Sequence, residues 1–295
     1  MLILAGGLLL FGGCRTLEPA REIPVPGVLP GGYPLYFSLS IADGGVPVAE
    51  ILEEQDQPGL LVKTWQKGTR LWGAVPGRGG GAPVIVFEGE VPRFKSSLGL
   101  AFSRDWKKSR EGDWWEDGRG AQIAFTGTNR LYYSRGGMGP LRDRENRLLY
   151  ADALEAVSSE TGLILTGGSA VVLGEGDELL SAFVPLPPGV NLTRWIFRMD
   201  KNGQDWRGGV TLIFGDEGEA RFLGTTLKLL FLRSPGPSGN NPSGPEAVAP
   251  LLLQRLGQTR ISRTGAELYL GDLVFSDPEF SGMIKEVIRR GLVFP

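Results

Sequence analysis

The chain has 295 residues, 41% of them hydrophobic and 22% charged, which is enough for one large or two ordinary domains with a sizeable core. Its formal net charge of −2 gives the molecule as a whole no attraction for phosphates, so nucleic acid is excluded as an expected partner. There is no histidine and one cysteine. That removes serine–histidine–aspartate and cysteine–histidine catalysis, histidine-bound zinc, haem and copper, and any intramolecular disulfide framework. No cofactor and no metal are expected.

In chain order, residues 1–13 (MLILAGGLLLFGG) form an uncharged, mostly apolar run directly before Cys14. The run is too short to span a bilayer, which takes about 20 apolar residues, and has the length of the hydrophobic region of a secretory signal peptide. With Leu10, Phe11, Gly12 and Gly13 ahead of Cys14, it resembles the lipobox of bacterial lipoproteins. The resemblance implies cleavage before Cys14, lipid on Cys14, and a place in the bacterial cell envelope, on the periplasmic or the surface side, with the membrane as a partner. It covers the amino terminus alone. Residues 14–34 are rich in proline and glycine and read as an extended tether.

From residue 35 the periodicities alternate between strand and helix. Leu35, Phe37, Leu39 and Ile41 alternate with Tyr36, Ser38 and Ser40, the pattern of a strand with one buried face. Val48, Ile51 and Leu52 fall on one helical face; RLWGAV and PVIVFEGE read as strands around the turn GRGGGAP. Phe94, Leu98, Ala101, Phe102 and Trp106 recur at helical spacing, predicting a packing helix over Arg93 to Lys107 with those residues inward. AQIAF and RLYYS follow as strands. The order β-α-β-β-α-β suggests a ferredoxin-like, split βαβ arrangement.

Parts of this order recur. TRLW from Thr69 is echoed by TRWIF from Thr193, and VIVFEGEVPRFKSSLGLAFSR from Val84 by TLIFGDEGEARFLGTTLKLLFLR from Thr211. PLYFSLSIADG from Pro34 is matched to ELLSAFVPLPPG from Glu178, and GAQIAFTGTNRLYYS from Gly120 to GAELYLGDLVFS from Gly265. The expectation is therefore an α+β protein of two tandem, related units with antiparallel sheets, arising by internal duplication. The first unit is 35–140 and the second 141–295, with a proline-, glycine- and serine-rich loop at about 234–245. Helices are expected in ENRLLYADALEAVSSETG, in EAVAPLLLQRL and in DPEFSGMIKEVIRRG at the end.

Candidate chemistry is sparse. Glu88 and Glu90, matched by Asp216, Glu217 and Glu219, offer carboxylates for acid–base hydrolysis, but they precede predicted helices, where the helix dipole favours negative charge. Asp200 to Trp206 (DKNGQDW) lacks the ligand spacing of a calcium loop and reads as a hairpin turn. The glycines of GRGGGAP lack the lysine of a phosphate-binding loop. The segment Glu111 to Gly120 holds the contact candidates Asp113, Trp114, Trp115, Glu116 and Asp117, because two adjacent tryptophans on an extended chain point to opposite sides. An exposed one would stack on a sugar or anchor a partner protein. The expected function is a non-enzymatic binding or adaptor module for an envelope protein, a glycan or an apolar ligand. The alternatives are a structural or assembly factor of an envelope complex and a carboxylate-dependent hydrolase.

Overall fold

The computed structural model describes residues 29–41, 67–77, 83–91, 93–110, 114–126, 129–135, 159–176, 190–233 and 254–291, with Pro187. The strands are β1 (Leu35–Ser40), β2 (Gly68–Val75), β3 (Val84–Gly89), β4 (Trp106–Lys108), β5 (Trp114–Asp117), β6 (Ala121–Thr126) and β7 (Arg130–Arg135), then β8 (Ala170–Glu175), β9 (Leu192–Asn202), β10 (Asp205–Phe214), β11 (Arg260–Thr264) and β12 (Glu267–Ser276). The helices are α1 (Arg93–Phe102), α2 (Ser159–Thr166), α3 (Glu217–Arg233) and α4 (Asp277–Gly291).

Among the described residues the twelve strands form one sheet in the order β11-β12-β10-β9-β8-β1-β2-β3-β7-β6-β5-β4. Every neighbouring pair is antiparallel. This corrects the expected fold class. A split βαβ unit sets parallel strands side by side, and none are adjacent here. Nor are there two units with separate sheets. Strand β1 pairs with β2 on one side, Leu35 to Ser40 running against Val75 to Arg70, and with β8 on the other, Leu35 to Leu39 running against Gly174 to Ala170. The duplication is corrected with it. Of the matched blocks, GAQIAFTGTNRLYYS covers the hairpin β6–β7, whereas its partner GAELYLGDLVFS is the single strand β12.

Two cores lie on the two faces of the sheet. One runs under α1, α3 and α4 and includes Leu35, Leu39, Leu71, Phe87, Leu100, Trp106, Trp195, Trp206, Leu223 and Phe280. The other includes Leu29, Tyr36, Trp72, Val86, Trp114, Tyr132, Leu165 and Val171, with α2 supplying Leu165. Hence β1 has not one buried face but two: Tyr36, Ser38 and Ser40 are buried as well as Leu35 and Leu39. The end of the segment read as tether also packs down. Leu29 is fully buried, and the Tyr36 hydroxyl donates to the Pro30 carbonyl at 2.9 Å.

Glycines facing aromatic residues let the strands lie close. In register, Gly73 faces Phe37 and Gly174 faces Trp195, and in both places a Cβ would overlap the ring. On β12 the alternation must change phase. Leu268 and Leu270 face the core before the break, Leu273 and Phe275 after it, and Asp272 at φ 61° absorbs the extra residue as a bulge opposite Gly209.

Helix ends follow capping chemistry. Asp216 Oδ1 accepts from the Glu219 N–H at 2.9 Å at the start of α3. At α4, Glu279 Oε2 accepts from the Ser276 N–H at 2.8 Å and Oε1 meets Arg255 at 2.6 Å. Burial pushes the Glu279 carboxyl up, but the Ser276 hydrogen bonds and Arg255 outweigh it and hold it below its ordinary value. Trp206 stacks on Phe280 with centroids 4.0 Å apart and donates to Asp277 at 2.8 Å, and Lys201 pairs with the same carboxylate, fixing α4 to the β9–β10 hairpin. That hairpin turns at Gly203, so the DKNGQDW segment is a two-residue turn.

Several expectations lie outside the described residues: the region around Cys14, the helix at 48–52, residues 78–82 of the GRGGGAP turn, the unit boundary at 140/141 and the loop at 234–245. The positive φ at residue 272 yields a direct test. Asp272→Val should destabilise the protein by about 1–3 kcal/mol in urea unfolding, whereas Asp272→Gly should stay within about 1 kcal/mol of the original; equal costs would deny the bulge.

Candidate functional site

The helix predicted over Arg93 to Lys107 ends at Phe102, and Trp106 to Lys108 are strand β4. Its orientation is the reverse of the expected one. Ser96 and Leu100 are buried, while Phe94 is 78% exposed, Leu98 46% and Phe102 81%. At 100° per residue these three span one arc of the helix, and Ser96 and Leu100 sit diametrically across from its centre. The helix thus rests on the sheet through its small and aliphatic side and projects its aromatic side. Trp106, read as part of the helical stripe, is instead buried from β4, in the same core as Leu100 and Val91.

The first turn of the helix holds no acidic residue, whereas α3 and α4 carry Glu217, Glu219, Asp277 and Glu279 there. Arg93, Lys95 and Arg104, on and beside the helix, are exposed, as are Lys107, Lys108 and Arg110; Lys107 stands on the face of β4 away from Trp106 and α1, opposite Glu116. Sequence reasoning missed this surface because helical periodicity locates an apolar stripe without saying which way it faces. The available signal was on the opposite side of the same helix, where Ser96, Gly99 and Ser103 are small enough to lie against a sheet.

The contact candidates of the DWWED segment lie beside this helix. Trp114 to Asp117 form β5, which pairs with β4: Trp106 opposite Asp117, Lys107 opposite Glu116, Lys108 opposite Trp115. Asp113 is outside the described residues. Trp114 is buried in the α2-side core, and Trp115 is half-buried against the other. Glu116 accepts from the Trp114 indole N–H and from Gln122 Nε2 at 3.2 Å. Asp117 Oδ1 accepts from the backbone N–H groups of Arg119 at 2.9 Å and Ala121 at 2.7 Å, holding the β5–β6 turn.

The carboxylates weighed for hydrolysis are distributed differently. Glu88 accepts from the Trp72 indole at 2.9 Å and meets Arg130 at 3.4 Å. Asp216 caps α3, and Glu217 faces Arg263 at 3.8 Å. Among the described residues there is no cluster of three or more carboxylates or thiols suited to a metal ion, and no helix long and apolar enough to cross a membrane.

No family model matches the chain, and no curated protein does. Solved structures do. Crystal form I of TP0453 aligns with a TM-score of 0.61 at 13% identity, covering 90% of this chain and 98% of that one. The chain shares the fold of TP0453. Crystal form III gives the same TM-score and coverage at 14% identity. The overlap spans nearly all of both chains. At this identity the likeness is one of fold.

The orientation of α1 is checked by stability. Leu100→Ala should cost about 2–5 kcal/mol and Phe102→Ala no more than about 0.5 kcal/mol in denaturant unfolding; the opposite order would place the aromatic side inward.

Proposed function

We propose that the protein is a non-enzymatic module of the bacterial cell envelope, held at a membrane by lipid on Cys14, whose folded part binds an apolar surface through α1. The observation that carries this reading is the outward stripe of Phe94, Leu98 and Phe102, set directly opposite the helix's contact with the sheet. Leaving such side chains in water forgoes about 1.5–3 kcal/mol each, a cost that a covering apolar phase returns. An amphipathic helix with basic residues around an aromatic stripe is suited to lying in a lipid interface. The lipobox-like run before Cys14 supplies the matching attachment, since an acyl chain would keep the folded part within reach of such a surface.

Against the other readings stand specific occupancies. Glu88, Glu116, Asp117 and Asp216 each serve a tryptophan, a turn or a helix start, which disfavours a carboxylate hydrolase. A sugar stacks on an open aromatic face; Trp114 is buried and Trp115 is half-buried against the core.

The test uses the full chain with Cys14→Ser, which removes the lipid. Cys14→Ser should shift the protein expressed in a bacterial host out of the detergent phase on Triton X-114 partitioning. In residues 14–295 with Cys14→Ser, which also lack the apolar run 1–13, Phe94→Ser with Phe102→Ser should weaken sedimentation with neutral phosphatidylcholine vesicles by about 10- to 100-fold. Unchanged binding would contradict the role of α1, and unchanged partitioning the role of Cys14.

A further inference from the structure

An apolar stripe by itself does not discriminate among bilayers, and this one is set in an unusual local charge. From Arg93 to Arg110 the sequence holds six basic residues and one acid, Asp105, a net +5 within a chain of −2; the rest of the protein is therefore at −7. All six basic side chains are exposed; Lys107 alternates to the sheet face away from α1, opposite Glu116, and the cations on and beside the helix itself are Arg93, Lys95 and Arg104. Lys95 lies one turn from Leu98 and two from Phe102 along the same side of α1, at the border of the apolar arc. Arg104 follows the last turn, where the carbonyl end of the helix also favours a cation. Their aliphatic stems let the charged groups reach past the plane of the aromatic rings while the stems stay beside them.

The shape of the surface narrows the occupant. A ridge on a helix of 10 residues is about 15 Å long, and a stable protein interface needs about 800 Å² from each partner. A free phosphate would satisfy the cations and leave the phenylalanines uncovered. A bilayer with negative headgroups covers both, taking the rings below the headgroup level and the cations at it. Resting on the apolar reading of α1, we infer that this face selects anionic lipid over neutral lipid, with Lys95 and Arg104 at the headgroups.

Each basic residue at a negative surface contributes roughly fivefold in affinity, and salt removes the effect within a Debye length of about 3 Å at 1 M. Residues 14–295 with Cys14→Ser, which lack both the lipid and the apolar run 1–13, are titrated with vesicles of phosphatidylcholine alone and of phosphatidylcholine with about 30 mol% phosphatidylglycerol. At low salt the mixed vesicles should bind at least about tenfold more tightly, and at about 1 M salt the preference should vanish. Lys95→Glu with Arg104→Glu should abolish the preference at low salt. Equal binding to both vesicles overturns this inference and leaves the apolar reading standing. Failure to bind either kind removes both readings, and a preference that survives high salt overturns the electrostatic assignment. The salt titration of the unaltered charges decides the matter even where the double variant fails to fold.

Discussion

The ladder between β1 and β8 joins residues 35–39 to residues 170–174, and the rest of the architecture depends on it. Closing so long a loop carries an entropic cost that grows slowly with length, and the gain is a sheet in which the strand nearest the amino terminus becomes central. Two faces of that strand must then be covered, and they are: leucines on one side, tyrosine and small serines on the other. Where the rings of Phe37 and Trp195 need room, glycine stands on the neighbouring strand. The long antiparallel run ends in short β4 at one edge and in β11, bearing Arg260 and Arg263, at the other. Shortness and charge both discourage further pairing at an edge.

The position of α1 follows from that extension. It crosses from β3 to the short edge hairpin, over a part of the core already filled by Trp106, Ile123 and Leu131. Only a serine and a leucine are buried on its underside. Its phenylalanines then have nowhere to go but outward. The contrast with α3 is instructive, because α3 carries the similar motif RFLGTTLKLLFLR, lies against β10, β11 and β12 and buries Ala220, Leu223 and Leu227, while Phe222, the counterpart of Phe94, is also exposed. The shared arginine–phenylalanine start therefore marks the outer side of each helix and not its packing side.

Much of the local structure was legible in the sequence, and the global arrangement was not. The alternation in LYFSLS, the apolar runs RLWGAV and VIVFEG, and the pair AQIAF and RLYYS are strands in the structure, because two-residue periodicity and turn chemistry are local properties. Pairing is not local. Nothing in AVVLGE announces that it lies against β1, and the expected ferredoxin-like units came from element order alone. The charges and glycine neighbours of the DWWED segment give no sign of pairing, yet as β5 it hydrogen-bonds to both β4 and β6. The candidate surface was visible as a stripe and invisible as a direction, since Phe94, Leu98 and Phe102 have the spacing of a buried face. What distinguishes them is that the sheet beneath accommodates the small residues of α1 better than its large ones.

That orientation is the central claim, and chemical labelling tests it most directly. In the chain with Cys14→Ser, single substitutions Phe94→Cys, Ser96→Cys, Leu100→Cys and Phe102→Cys are exposed to a maleimide under native conditions. Positions 94 and 102 should react at close to the rate of the unfolded chain, and positions 96 and 100 should be strongly protected. Protection at 94 and 102 with rapid reaction at 96 would show the helix packed by its aromatic side and would contradict the account.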